Sequence, residues 1–318
     1  MQYRKFSDLG WKISEIGLGC WAIGSDWGEV SEHDAREVLK TSLDKGINFF
    51  DTADVYGDGR SEKFVGELIR STSEKIFVAT KAGKRLRPYT PGGHNLKNIE
   101  EFIDRSLINL GIDCIDLLQL HCPPSQICSK KETYEMMDEI VKKGKIAHYG
   151  VSVFKISEAM EAIQNPNVKS IQMVFNIFRQ RPAEVFFKEA KKKKIAIIAR
   201  GPLASGLLTG KFNKETKFAE NDHRNYNING EAFDIGDTFS GVNFEKGLEA
   251  VEELKRLVPD NFSLSELALK WILMHDAVSV VIPGAVNKSQ VQMNASVSDL
   301  EDISYLLPKI NSIYDELI

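Results

Sequence analysis

Four residues of this chain have side chains that can hold or move a proton and stand where a fold could gather them. Asp51 follows the run Ile47-Asn48-Phe49-Phe50, Lys81 follows Phe77-Val78-Ala79-Thr80, and His121 follows Leu117-Leu118-Gln119-Leu120. Tyr56 lies a short way beyond Asp51 on the same connecting segment. A carboxylate, an amine, an imidazole and a phenol are the common parts of acid–base chemistry. Singly, each has an ordinary explanation. A strand-end Asp often caps the next helix, and a lone His is more often structural than catalytic. Together they end neighbouring strands of one expected sheet, and in a parallel barrel such ends converge on a single pocket.

The elements that must position them read clearly. Tyr3 to Phe6 and Lys12 to Ile16 flank the turn residues Ser7-Asp8-Leu9-Gly10 and predict an opening hairpin. Short apolar runs then alternate with helical patterns. The runs are Ile16–Gly19, Ile47–Phe50, Ile76–Thr80, Ile115–Leu120, Ile146–Val151, Ile171–Phe175, Ile195–Ala199 and Val278–Ile282. They are nearly continuously apolar and often β-branched, as strands buried on both faces must be. Between them, Ala35, Val38, Leu39 and Leu43 share one helical face, with Ser31 as N-cap. Ile99, Phe102, Ile103, Leu107 and Leu110 share another, which Gly111 ends. Ile156, Ala159, Met160 and Ile163 form a third stripe. Leu248, Val251, Leu254 and Leu257, then Leu267, Ala268, Trp271 and Ile272, predict two more helices before the last strand. Eight βα units after a hairpin make an α/β fold, a (β/α)8 TIM barrel with extra helices, spanning 1–318 as a single domain. The polar, Asn-, Gly- and Asp-rich stretch 211–244 is the outlier. A loop this long is expected to be a lid or binding loop.

The composition excludes other classes. With 318 residues, 42% hydrophobic and 27% charged, the chain is an ordinary globular one. Its net charge of −4 gives no bulk attraction for nucleic acid or for an anionic membrane. The apolar runs fall far short of the ~20 residues that span a bilayer. Met1-Gln2-Tyr3-Arg4-Lys5 leads into no apolar signal segment. Cys20, Cys114, Cys122 and Cys128 have neither CxxC nor metal-ligand spacing, so reduced thiols and a cytoplasmic location are expected. No metal site is expected among the scattered histidines. Gly17-Leu18-Gly19-Cys20-Trp21-Ala22 matches G-x-G-x-x-A, but Ile23-Gly24-Ser25-Asp26-Trp27-Gly28 after it suits no helix. A dinucleotide-binding βαβ turn is therefore not expected there.

The chain resembles the aldo-keto reductase family. The resemblance is carried by Asp51-Thr52-Ala53-Asp54-Val55-Tyr56-Gly57, Thr80-Lys81, Leu120-His121, Gly150-Val151-Ser152 and Pro202-Leu203-Ala204-Ser205-Gly206-Leu207-Leu208-Thr209-Gly210-Lys211. Ile282-Pro283-Gly284-Ala285, with Gln290 and Asn294 behind it, continues the family order. The resemblance implies an NAD(P)(H)-dependent oxidoreductase that moves a hydride between a nicotinamide and a carbonyl carbon. It makes Tyr56 the proton donor, Lys81 the charge that acidifies it, Asp51 the group that orients Lys81, and His121 a hydrogen-bond donor to the substrate oxygen. An ammonium about 4 Å away stabilises a phenolate by about 4 kcal/mol at an effective dielectric of about 20. At about 1.36 kcal/mol per unit, that lowers the phenol's pKa by up to about three units before burial opposes it.

The resemblance also implies a cofactor path. Gly19 and Trp21 line the pocket beside the nicotinamide, with Asp51 at its base, and Ser152 and Gln172 bind the carboxamide. Val153 replaces the Asn that often follows this serine. Arg200 stands where a tyrosine commonly stacks on the nicotinamide, and its guanidinium brings a positive charge. Gly201, Pro202, Leu203, Ser205, Gly206 and Leu207, with Lys211, wrap the pyrophosphate. Gly284, Lys288, Gln290 and Asn294 take the adenosine end. Lys288 is the one cation in Ala285-Val286-Asn287-Lys288-Ser289-Gln290. NADP(H) is favoured on that cation, and NAD(H) stays open.

The leading expectation is reduction of an aldehyde or ketone. Oxidation of a sugar or alcohol would use the same four residues. A third reading comes from another class, the barrel-shaped regulatory subunits of potassium channels. Those typically carry an N-terminal extension, whereas the hairpin here starts at Tyr3. Substrate choice is expected to lie with the βα loops, through Trp27, Arg87, Tyr89, Pro123, Pro124 and the 211–244 loop. That mixture suits a sugar-like or hydroxylated carbonyl compound.

Overall fold

The computed structural model of the chain describes residues 1–24, 30–220, 222–232 and 234–318. Strands Tyr3–Phe6 (β1) and Trp11–Ser14 (β2) pair antiparallel as a hairpin. Eight further strands lie parallel in chain order: Leu18–Gly19 (β3), Phe49–Asp51 (β4), Phe77–Ala82 (β5), Ile115–His121 (β6), Ile146–Ser152 (β7), Val168–Val174 (β8), Ala196–Arg200 (β9) and Val278–Val281 (β10). Bridges Ile16–Val281 and Gly19–Gly284 join the first strand to the last and close the TIM barrel. Closure explains why Gly19 carries no side chain: a Cβ there would lie 2.8 Å from the Ile282 carbonyl oxygen.

The strand boundaries depart from the sequence reading in instructive places. The second hairpin strand stops at Ser14 rather than Ile16, because Ile16 leaves it to pair with Val281. β8 starts at Val168, not Ile171. Lys169 and Ser170 break the apolar run, yet Ser170 pairs with both Gly150 and Ala196. Trp21–Gly24 forms one helical turn where none is expected. No dinucleotide-binding unit follows from it, since the strand before it seals the barrel.

The helices sit outside the barrel and are capped as their sequences dictate. Ser31 accepts from the Asp34 amide at the start of Glu32–Asp44. Asn95 opens Leu96–Leu110, and Gly111 ends it at φ 65°. Ser263 and Glu266 form a capping box on Leu264–Leu273. The helix stripes pack on the outer faces of the strands in one continuous apolar layer. Inside the barrel, Phe49, Phe77, Ala79, Leu117, Ala196, Ile198 and Val280 meet Phe6 and Ile13 of the hairpin. The Phe6 ring stacks on Phe49 at 5.6 Å, and Trp11 stacks on Phe77 at 4.7 Å. The hairpin thus plugs the N-terminal end, and only the other end is left for chemistry.

The 211–244 stretch is organised. It contains a short helix at His223–Tyr226 and turns at Ile235–Asp237 and Phe239–Gly241. Phe212, Phe218, Phe239 and Phe244 give it an apolar centre of its own, with ring separations of 5.2 Å (212–218) and 5.0 Å (239–244). A loop packed by its own side chains holds a defined shape over the surface it covers.

Candidate active site

Side chains alternate along a strand, so the apolar interior positions continue into polar ones at the C-terminal end. Phe49 leads to Asp51, Ala79 to Lys81, Leu117 to Gln119 and His121, and Ile198 to Arg200. Asp51 and His121 are the last residues of their strands, and Lys81 is next to last in its own. Tyr56 comes from the loop after β4. That loop is pinned on both sides. Thr52 Oγ1 donates to Ser61 Oγ at 2.8 Å, and Ser61 Oγ donates to the Cys20 carbonyl at 2.9 Å. Arg85 and Arg105 hold Asp58 at 2.6 and 2.8 Å. Gly24 packs directly beneath Tyr56, and a Cβ at that glycine would lie 2.9 Å from the Tyr56 backbone.

Lys81 is the hub. Its buried ammonium donates to Asp51 Oδ1 at 2.5 Å, to the Thr52 carbonyl at 2.8 Å and to Tyr56 Oη at 3.2 Å. Asp51 Oδ2 accepts from Gln119 Nε2 at 3.0 Å and Gln172 Nε2 at 2.7 Å. The carboxylate therefore has both oxygens engaged, as a buried charge requires. His121 meets the Tyr56 ring edge-on at 6.1 Å, and Trp21 stacks on its face at 6.1 Å. The four expected residues meet in one cluster at the C-terminal end of the barrel.

The electrostatics correct one expectation. Burial pushes the Tyr56 phenol up to about 12, outweighing the downward pull of Lys81. The phenol thus keeps its proton at rest. Burial opposes the Lys81 ammonium too, but Asp51 and Tyr56 together raise its pKa. Burial, then the Lys81, Lys84 and Arg200 charges, hold His121 well below its ordinary range, so its imidazole is neutral. Its Nδ1 is buried without a hydrogen-bond partner among the described residues.

The remaining expected residues spread along a band from this pocket. Ser152 and Gln172 face each other at 3.4 Å, and Gln172 is already tied to Asp51. Arg200 forms an ion pair with Asp237 and lies over the Phe154 ring at 5.5 Å, so its charge is compensated. Ala204, Ser205 and Gly206 run left-handed in succession (φ 47°, 54° and 93°), a backbone form that presents amides to an anion. Ser205 Oγ donates to the Asp237 carbonyl at 3.1 Å, and His223 Nε2 lies 3.4 Å from it. The 211–244 stretch therefore meets the left-handed run at Ser205 and Gly206, while Gly201 is exposed. Lys211 is exposed at its start. Farther on, Asn294 Nδ2 donates to the Gly284 carbonyl at 3.3 Å, and its buried Oδ1 has no partner among the described residues. Gln290 Oε1 accepts from the Val286 amide at 2.8 Å. Lys288 is exposed and forms no ion pair among the described residues.

Among the expected specificity residues, Tyr89 donates to the His121 and Cys122 carbonyls at 3.2 and 2.6 Å. Arg87 turns back on the carbonyls of Lys84 and Leu86. Pro123 and Pro124 follow His121 after Cys122, and Trp27 lies outside the described residues. Gln119, Asp237 and His223 were not expected. Gln119 was legible, since it sits two residues before His121 on the same strand face. Asp237 and His223 come from the long loop, where no periodicity marks a contact.

Comparison with known proteins places this geometry. A model described as "Aldo/keto reductase family" matches residues 15–314. The aldo-keto reductase yakc of Schizosaccharomyces pombe, whose name specifies NADP(+), is 30% identical, covering 89% of this chain and 83% of its own. A protein of Arabidopsis thaliana named as a probable voltage-gated potassium channel subunit beta is 29% identical, covering 100% of this chain and 97% of its own. The solved glycerol dehydrogenase of Gluconobacter oxydans is 28% identical with a TM-score of 0.82, covering 100% of this chain and 96% of that one. The channel-subunit relative is matched over nearly its full length, so the expected N-terminal extension does not set that relative apart.

Proposed function

Because the chain belongs to the aldo/keto reductase family, we propose that it reduces an aldehyde or ketone with NADP(H), with Tyr56 giving the proton to the carbonyl oxygen. One observation carries this reading: Lys81 Nζ touches both Asp51 Oδ1 and Tyr56 Oη inside one pocket. When bound, the reduced nicotinamide supplies the hydride. The chain's own groups do the rest. His121, neutral, donates a hydrogen bond to the substrate oxygen and adds no competing charge. Tyr56 donates its proton as negative charge builds on that oxygen. The Lys81 ammonium, fixed by Asp51 and the Thr52 carbonyl, stabilises the phenolate left behind. Burial raises the phenol's pKa at rest, while the ammonium favours the phenolate once the proton has moved. The pair thus acts at the transfer and not before it.

The residues present fit the cofactor. The left-handed run Ala204–Gly206 and the buried Asn294 Oδ1 and Arg200 Nε, which have no partner among the described residues, offer groups to it. In this reading the run takes the pyrophosphate, Asn294 and Gln290 take the adenosine, and Lys288 takes the 2′-phosphate. Gln172 must exchange its Asp51 contact to reach a carboxamide. The NADP(+) in the name of the Schizosaccharomyces pombe relative supports the choice of cofactor. The glycerol dehydrogenase likeness supports a hydroxylated substrate and activity in the oxidative direction as well.

The test is Tyr56→Phe. Fluorescence titration should show NADPH binding retained, while turnover falls about 10²–10⁴-fold, the range of a lost general acid. Turnover within about threefold of wild type contradicts the assignment. Lys288→Ala should weaken NADPH about tenfold, the worth of one charged contact, and spare NADH. Equal weakening of both refutes the phosphate contact. A regulatory barrel related to the channel subunits would bind the cofactor and show no Tyr56-dependent turnover.

A further inference from the structure

Four cations crowd into Lys81–Arg87, and they are not equivalent. Lys81 is paired with Asp51, and Arg85 with Asp58. Arg87 is exposed and bonded to backbone carbonyls. The Lys84 ammonium alone has neither an ion pair nor a hydrogen bond among the described residues, although the residue is half-buried. It is nevertheless held in place. Nζ lies 5.4 Å from the centre of the Tyr89 ring and 5.2 Å from that of Phe154, two cation–π contacts that fix it between aromatic walls. Tyr89 is itself tied to the His121 and Cys122 carbonyls, so the ammonium stands over the His121 end of the pocket. Arg200 also approaches the Phe154 ring, at 5.5 Å, and Asp237 cancels its charge.

Charge at the mouth of the site therefore does not balance. Lys81 is offset by Asp51 and Arg200 by Asp237, and among the described residues Lys84 is offset by no carboxylate. A partly desolvated, positioned and unneutralised cation beside a substrate pocket is what an anionic substituent needs. Resting on the reductase reading above, we propose that Lys84 selects carbonyl substrates that carry an anionic group, a carboxylate or a phosphate, which its ammonium binds while the carbonyl meets Tyr56 and His121. Among aldehydes and ketones, the hydroxylated class expected from the loops included, the preference is thereby narrowed to those bearing a negative charge. Lys84 is a specificity residue. It neither moves the proton nor orients a group that does.

Matched substrate pairs test this with NADPH: glyceraldehyde 3-phosphate against glyceraldehyde, and succinic semialdehyde against butanal. In at least one pair, wild type should favour the anionic member by about tenfold or more in kcat/KM, the scale of one charge pair at a partly screened site. The pair that shows the preference identifies phosphate or carboxylate. Lys84→Gln should bring that ratio close to one, chiefly through KM, and Lys84→Arg should keep most of it. A ratio unmoved by Lys84→Gln, or no preference in either pair, overturns the proposal. So does a Lys84→Gln loss in NADPH affinity that matches the loss in selectivity, since the lysine would then serve the cofactor. Inorganic phosphate and succinate, titrated against the protein by intrinsic fluorescence, give a readout without turnover. At least one should bind wild type and bind Lys84→Gln about tenfold more weakly, and equal binding to both forms counts against the proposal. Absence of any NADPH-dependent turnover, with this anion binding intact, would instead strike the reductase reading.

Discussion

Along β5 the inward side chains run Phe77, Ala79, Lys81, and along β6 they run Leu117, Gln119, His121. The same strands thus build two ends of one barrel to opposite rules. At the N-terminal end, Phe6, Phe49, Trp11 and Phe77 stack face on face beneath the hairpin. Arg4 there donates to the Leu273 and Val278 carbonyls at 2.7 and 2.8 Å. At the C-terminal end, His121 Nδ1, Arg200 Nε and both oxygens of Asp54 are buried without partners among the described residues. Left-handed backbone at non-glycine residues gathers there too, at Asp58, Cys122, Ala204, Ser205, Phe239 and Ser240, with Ser7 and Lys194 elsewhere. Such conformations cost about 1–3 kcal/mol each and tend to cluster at functional sites. One end contributes stability, and the other holds groups in states that favour ligands over the fold.

Substitutions at the two ends should therefore act with opposite sign. The largest stability effect belongs to the plug. Phe49→Ala should cost about 3–5 kcal/mol, because Phe49 is fully buried and its neighbours cannot close the cavity. Denaturant unfolding measures it, and a loss below 1 kcal/mol would remove the distinction between the ends. A smaller gain is expected at the mouth. Burial, with Glu62 nearby, pushes the Asp54 carboxyl up to about 7. The folded state therefore holds a proton that the unfolded chain releases near pH 3.8. That contribution is present below pH 3.8 and is lost as pH rises towards about 7. Asp54→Asn removes the loss. Between pH 5 and pH 8 the variant should gain about 2–3 kcal/mol on wild type, at about 1.36 kcal/mol per pH unit up to the folded pKa. A gap that stays constant with pH would show that Asp54 titrates as an ordinary exposed acid.

How far the sequence revealed this divides along the same line. Most of the barrel strands read as nearly continuous apolar runs, so the barrel is visible in the sequence, and the polar residues ending several of them, Asp51, Lys81 and His121 among them, mark the site. Caps at Ser31 and Gly111 were legible because capping is local chemistry. What stayed hidden is non-local. The three polar groups on Asp51 come from β5, β6 and β8, and no spacing relates Gln119 to Asp51. The Arg200–Asp237 pair joins a strand end to an aperiodic loop. Burial of Tyr56, which reverses the expected direction of its pKa, is a sum over neighbours from several loops. The uncompensated charge of Lys84 emerges only when every other cation in its segment has been given a partner.

The account rests on a phenol that burial keeps protonated while an adjacent ammonium waits for the charge. The pH profile of reductive kcat/KM with NADPH tests it most directly, since it reports the ionisations of the free protein. With Tyr56 pushed up to about 12 and His121 neutral, the profile should stay flat from about pH 6.5 to beyond pH 9. A fall in the reductive rate with a midpoint between about pH 6.5 and 8 would mean that the ammonium had already drawn the proton off, and would contradict the central claim.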